Sequence, residues 1–444
     1  MVVGQSSSST ADAGFVAPRL VAIDVLRGLA ILWVVLFHLW GDIKYFPGGP
    51  HEYYRQVAGQ VGDGTPALDI FTSFTDLFFR LGFQGVPLFM MLSGISLTVA
   101  AYRSGGTPRW PRFFAARFRK LLVPYWFGAA MTYGVMAAIA WRQDVIGRGD
   151  FAEQFRHGVT ISRLSVIEVD WGVVFASFTL APRLTGLEHF FAPQLALWFV
   201  GLLAQYYLLF PLLLFVMKRI GGPAFLLLTG AITLAANAWV VQQYQVPEVK
   251  FWLVTGWAPF RLFEFTSGMA IGWLIASPER GRALAFARNP LSVASMLTLG
   301  FAAHTGGGIL TGDPSTGYWQ AAALPLATLG LVLLALPLFV KPPSRVDLSL
   351  PMRALAGIGV LSYAILIVND ALRLVASQIR IEQPPDAVWW TFLVAVYVPL
   401  SIALAWPIAL LLGLMPRREP KPARVAPDQV LAERIRELAA VGGG

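Results

Sequence analysis

Apolar runs of about twenty residues recur along the whole chain, separated by shorter polar connections, and that length suits a helix crossing ~30 Å of hydrocarbon. They predict ten spans, at 20–41, 79–101, 120–141, 193–217, 223–241, 251–276, 289–304, 317–340, 354–377 and 388–415. The expected fold class is therefore all-α: a polytopic membrane protein forming a single bundle of about ten transmembrane helices over residues 19–415. The longest connection, 142–192, holds amphipathic or re-entrant pieces such as WGVVFASFTL. Residues 1–18 are small and polar and lack the basic n-region of a signal peptide, so they read as a disordered cytoplasmic tail. Residues 416–444 read as a charged cytoplasmic tail with one short amphipathic helix, because Leu431, Ile435 and Leu438 share a helical face.

Charge sets the orientation. Lys and Arg fall about twice as often in the even-numbered connections and tails as in the odd-numbered ones, with Arg373 and Arg380 counted among the latter. That bias places both termini in the cytoplasm. The net charge of +9 is accordingly a matter of topology, and nucleic acid is not an expected partner. Only 13% of the 444 residues are charged, against about 25% for a soluble protein. There are no cysteines, which removes thiolate ligands and cysteine nucleophiles. The five histidines, His38, His51, His157, His189 and His304, show no metal-ligand spacing, so no metal is expected.

A few ionisable residues lie within the spans, where they are expensive and usually face the protein interior. In RGLAILWVVLFH, His38 follows Arg27 by eleven residues, which returns it within ~20° of the same face about 16 Å further along the helix. Depth along continuous helices sorts the polar residues into two layers: Asp24, Arg27, Arg261 and Glu264 on the inner side, and His38, Asn369 and Asp370 on the outer. Plainer roles exist for each. Arg261 and Glu264, three residues apart, could simply neutralise each other. His38 could bond a neighbouring carbonyl near the outer boundary. The basic stretch PRFFAARFRK could serve only as a cytoplasmic anchor, although its cations also suit a ligand rich in phosphates.

Six motifs in order resemble the acyltransferase-3 family of integral membrane O-acyltransferases. They are RLVAIDVLRGLAILWVVLFH with its Arg-x10-His spacing, GVPLFMMLSGISL, RFFAARFRKLLVPYW, LWFVGLLAQYYLLFPLLL, RLFEFTSGMAIG and GVLSYAILIVND. Many relatives carry histidine where this chain has Asn369, which hydrogen-bonds but does not titrate near neutral pH. The resemblance implies transfer of an acyl group, commonly acetyl from acetyl-CoA, to a hydroxyl of a glycan, lipid-linked sugar or small molecule, within the inner (plasma) membrane. Under it, His38, Asp370 and Asn369 form the expected transfer centre. Arg27, Arg112, Arg117, Arg119, Lys120, Arg261 and Glu264 serve the acyl-CoA donor, which is a substrate and needs no metal. A base such as histidine fits the acceptor's proton transfer near pH 7. The alternative is a transporter or exporter of a glycan using the same buried polar groups, against which the hydropathy shows no inverted repeat and no matched pair of broken helices.

Overall fold

A computed structural model describes residues 21–43, 66, 79, 81–104, 108–156, 169–180, 197–243, 247–277, 289–310, 319–340, 348–379 and 391–415. The expected tails, 1–18 and 416–444, lie outside these residues, as does Arg80. Every element among them is helical. In chain order these are α1 (Val21–Ile43), a 3-10 turn (Leu81–Gln84) leading into α2 (Gly85–Arg103), α3 (Trp110–Val145), and the short α4 (Phe151–Arg156) and α5 (Trp171–Ser177). Then follow α6 (Trp198–Ile220), α7 (Gly222–Gln243), α8 (Pro247–Gly256), a 3-10 turn (Ala258–Arg261) and α9 (Leu262–Ala276). The last are α10 (Pro290–Leu310), α11 (Gln320–Val340), α12 (Leu350–Ile379), a π-helical turn (Leu393–Tyr397) and α13 (Val398–Leu411). Residues Leu20–Leu414 pack as one unit.

Eight helices among the described residues are long and apolar enough to cross a membrane, so the chain is an integral multi-pass membrane protein. Ten were expected, and the two missing from the eight have physical reasons. The sixth expected span, 251–276, is not one helix. Trp257 takes an extended backbone (φ −118°, ψ 134°) and the following Ala258-Pro259 starts a fresh 3-10 turn, so α8 and α9 are separate. The depth count that placed Arg261 and Glu264 therefore crosses a break in the helix. The seventh, α10, has its apolar residues diluted by Ser292, Ser295, Thr298, His304 and Thr305.

The expected basic connection before the third span is also helical. It forms the first turns of α3, whose 36 residues extend about 54 Å, well beyond the ~30 Å of hydrocarbon. In the long connection, α5 is capped by Asp170, whose Oδ1 accepts from Val173 N–H at 2.6 Å. The α5 end is tied to α3: Tyr125 donates to the Ser177 carbonyl, Trp126 Nε1 donates to the Phe178 carbonyl at 2.8 Å, and Tyr133 shares a 2.8 Å hydrogen bond with Ser177 Oγ. Trp171 and Phe175 stay exposed on the free face.

Apolar stripes build the core, with Leu26 and Ala30 of α1, Met91 and Ile95 of α2, Ile271 of α9 and Leu331 of α11 meeting in one buried cluster. Within lipid there is little hydrophobic drive between helices, so close backbone approach supplies much of the attachment. α1 and α12 approach closely where Gly28 faces the Leu355 carbonyl and Gly359 faces the Asp24 carbonyl. Any Cβ at either glycine would overlap that oxygen. Gly359→Leu should therefore cost at least about 1–3 kcal/mol through overpacking. A lowered thermal midpoint of the purified variant is the expected result, and an unchanged one would show that the seam is looser than this.

Candidate functional site

The α1–α12 seam fixes the outcome at its far end. There α1 presents His38, and α12 presents Asn369 and Asp370, both fully buried. Asn369 Nδ2 lies 3.4 Å from His38 Nδ1 and 3.3 Å from Asp370 Oδ1. The Tyr397 hydroxyl donates to the Asn369 backbone carbonyl at 2.6 Å and to its side-chain Oδ1 at 3.1 Å. A carboxylate only accepts, so Asp370 requires the Asn369 amide nitrogen on its side and the amide oxygen toward Tyr397. Arg373 completes the group, with Nη1 at 3.2 Å from Asp370 Oδ1 in a buried ion pair.

The three residues expected at the transfer centre thus come together. Sequence depth grouped His38 with both Asn369 and Asp370 and did not distinguish which of them meets the ring. The structure interposes Asn369, whose N–H points at His38 Nδ1 and assigns that nitrogen the lone pair when the ring is neutral. Asp370 is joined to the histidine through Asn369 and is itself paired with Arg373.

Two members of this group were missed. Arg373 was counted with an outer connection although it lies within the expected span 354–377; the Asp-x-x-Arg spacing on one helical face was the available signal. Tyr397 belongs to a π-helical turn, an irregularity that often marks functional sites and that hydrophobic periodicity does not announce.

Nearer the N-terminal end of α1, half-buried Arg27 donates to Ser96 Oγ at 3.4 Å, and Ser96 in turn donates to the Leu92 carbonyl at 2.7 Å. Asp24 is buried one turn before Arg27. Arg261 and Glu264 occupy the restart of the sixth span and face each other: Nε and Nη2 of Arg261 stand 2.9 and 2.8 Å from Glu264 Oε1. The Arg261 guanidinium also sits 5.3 Å from the centre of the Trp198 ring. Non-helical backbone at membrane depth needs partners inside the protein, and α6 and α7 provide them. Gln205 donates to the Gly256 carbonyl at 2.8 Å and accepts from Ala258 N–H at 3.1 Å. Tyr206 donates to the Ala258 carbonyl at 3.0 Å, and Asn237 to the Phe260 carbonyl at 2.9 Å. Side chains of two other helices thus bond the backbone groups on both sides of the break.

The four cations at the start of α3 divide by helical face. Arg112, Arg119 and Lys120 are exposed, with Arg119 seven residues after Arg112 and so on the same side. Arg117 is half-buried on the opposite, aromatic side, its guanidinium 5.8 Å from the Phe113 ring centre. Phe113 stacks on Phe210 at 5.4 Å, which anchors this side of α3 on α6.

Among the described residues no group of three or more His, Cys, Asp or Glu is placed to hold a metal ion. No curated protein and no solved structure matches the chain. A family model described as an acyltransferase domain matches residues 20–410, which spans every element described above from α1 to the end of α13 save its final residue. With that match over nearly the whole bundle, the chain belongs to the acyltransferase-3 family of membrane acyltransferases.

Proposed function

We propose that this acyltransferase moves an acyl group, most simply acetyl, from acyl-CoA at the cytoplasmic face to a hydroxyl of a glycan, lipid-linked sugar or small molecule. The observation that carries the reading is the contact between His38 Nδ1 and the Asn369 amide, held at the junction of two helices in close backbone contact. At 3.4 Å this is a long hydrogen bond, one that an incoming hydroxyl can replace at little cost. His38 then takes the hydroxyl's proton at Nδ1 as the oxygen attacks, and returns it to the departing sulfur, so no net proton is gained or lost. The donor supplies an activated thioester. Asn369, fixed by Tyr397 and Asp370, occupies the Nδ1 side of the ring until the acceptor hydroxyl takes its place.

The residues at the other end fit the donor. Arg112, Arg119 and Lys120 present exposed cations for its phosphates, and Arg27 on α1 stands about 16 Å from His38, the scale of an extended pantetheine arm. The transporter reading draws on the broken sixth span. Its freed backbone groups are bonded by Gln205, Tyr206 and Asn237, which favours a fixed wall over a moving gate.

Purified protein in lipid, given acetyl-CoA labelled in the acetyl group and an envelope extract, should yield label covalently attached to an acceptor hydroxyl, released by mild alkali. Movement of an unacylated substrate across proteoliposomes, with no labelled product, would overturn the assignment.

A further inference from the structure

We infer that a buried polar layer midway along α1, formed by Gln84, His304, Thr328 and Glu264, binds the amide-bearing arm of the acyl donor between Arg27 and His38. The inference rests on the donor assignment proposed above and locates a new part of that site.

Helical geometry brings the four residues to one region. Thr328 precedes Leu331 and Ala335 by three and seven residues, so it continues their core-facing stripe on α11. Glu264 shares a face of α9 with Ile271 and Ile275, and it lies one turn before Gly268, which abuts the Met91 carbonyl, so it stands beside the first turns of α2. Gln84 sits between Gly82, which lies against the Trp33 carbonyl, and Gly85, which lies against the Ala30 carbonyl. His304 of α10 places its ring 5.9 Å from the Trp33 ring. Trp33 is six residues beyond Arg27 and five before His38, roughly 9 and 7.5 Å along the helix. The apolar cluster on the Arg27 side therefore gives way, at the level of Trp33, to polar groups.

Those groups are sealed in and unmatched. Gln84 is fully buried, Thr328 and Glu264 are 1% exposed, and His304 is 7% exposed. Among the described residues, both amide atoms of Gln84, Thr328 Oγ1, His304 Nε2 and Glu264 Oε2 have no hydrogen-bond partner in the protein. Leaving one such group unmet is unfavourable, and buried polar atoms in a native core are nearly always met.

Their chemistry specifies the ligand. His304 Nδ1 donates to the Ala327 carbonyl at 3.5 Å, which leaves Nε2 as an acceptor. Arg261 occupies only Oε1 of Glu264, so Oε2 is a second acceptor. Gln84 and Thr328 each offer a donor and an acceptor. The layer calls for a chain carrying N–H and O–H donors together with carbonyl acceptors. A pantetheine arm has two secondary amides and one hydroxyl, and a route from Arg27 to His38 must pass this level. A hydrocarbon tail would meet none of these groups.

The test compares coenzyme A with adenosine 3′,5′-bisphosphate, which has the nucleotide phosphates without the arm, by calorimetric titration of the purified full-length protein. Gln84→Leu and Thr328→Val should each weaken coenzyme A binding roughly five- to tenfold and leave the bisphosphate unaffected. Ligand-free Gln84→Leu should also melt higher than wild type, since an apolar group replaces an unmet amide; this separates lost recognition from misfolding. Unchanged coenzyme A affinity in both variants would overturn the inference and assign the layer to ordered water or to the acceptor. Equal weakening of both ligands would overturn it too, because the effect would not belong to the arm. Failure of the wild type to bind either ligand would instead overturn the donor assignment itself.

Discussion

Turnover per folded molecule of His38→Gln should fall roughly 10²–10⁴-fold, the range for loss of a general base. Glutamine keeps a polar group that Asn369 can meet, so the variant should fold, but it cannot take a proton near neutral pH. His38→Ala should lose as much turnover with little change in donor KM. The neighbouring substitution separates chemistry from architecture. Asp370→Asn removes the negative partner of Arg373 from a buried pair 3.2 Å long, and breaking such a pair costs about 3–5 kcal/mol. Its main effect should be on the amount of folded protein and its thermal midpoint. Turnover of the molecules that do fold should drop less than in His38→Gln, because the base remains. If His38→Gln retains full turnover, His38 is a structural histidine and the catalytic role belongs elsewhere.

Hydrophobic periodicity announced nearly every long helix, because a bilayer demands long unbroken apolar runs and charges end them. It failed where backbone conformation departs from the ideal. The break at Trp257 is carried by hydrogen bonds from Gln205, Tyr206 and Asn237, side chains on two other helices. Read alone, the stretch 251–276 is simply apolar. The start of α3 failed for the opposite reason. Its charges argued for a connection, yet a helix may continue past the membrane surface when an aromatic side packs, as Phe113 does on Phe210.

The site divides in the same manner. His38, Asn369 and Asp370 could be grouped by depth because α1 and α12 are continuous helices, each rising ~1.5 Å per residue. Which of them touches the histidine depended on side-chain direction and on Tyr397, brought in by a π-helical turn no periodicity predicts. Arg261 and Glu264, by contrast, were placed by a depth count across a break, and the structure pairs them with each other. Asn369, where the family resemblance led to an expected histidine, also gains a physical sense. Its amide donates to His38 and to Asp370 while its oxygen accepts from Tyr397, a set of roles one imidazole could not fill together.

Arg119→Ala should raise the apparent donor KM about 10- to 150-fold while kcat changes little, the loss of one charge-assisted phosphate contact worth about 1.5–3 kcal/mol. The expectation follows from the division of the α3 cations by face. Arg119 is exposed beside Arg112, so its removal leaves packing intact. Arg117 lies over Phe113 and is half-buried, so Arg117→Ala should lower both donor affinity and the yield of folded protein. Arg119→Lys should recover much of the loss, since a point charge still attracts phosphate though it cannot bind it through two parallel hydrogen bonds. Two controls isolate the phosphate contact. With acetyl-pantetheine, which lacks the nucleotide, wild type and Arg119→Ala should have the same KM. Raising ionic strength should increase the wild-type KM for acetyl-CoA and narrow its gap to the variant, because exposed charges are screened within about 8–10 Å. If the cations serve only to anchor and orient the chain, Arg119→Ala will alter membrane insertion or yield, and the KM for acetyl-CoA will stay where it was.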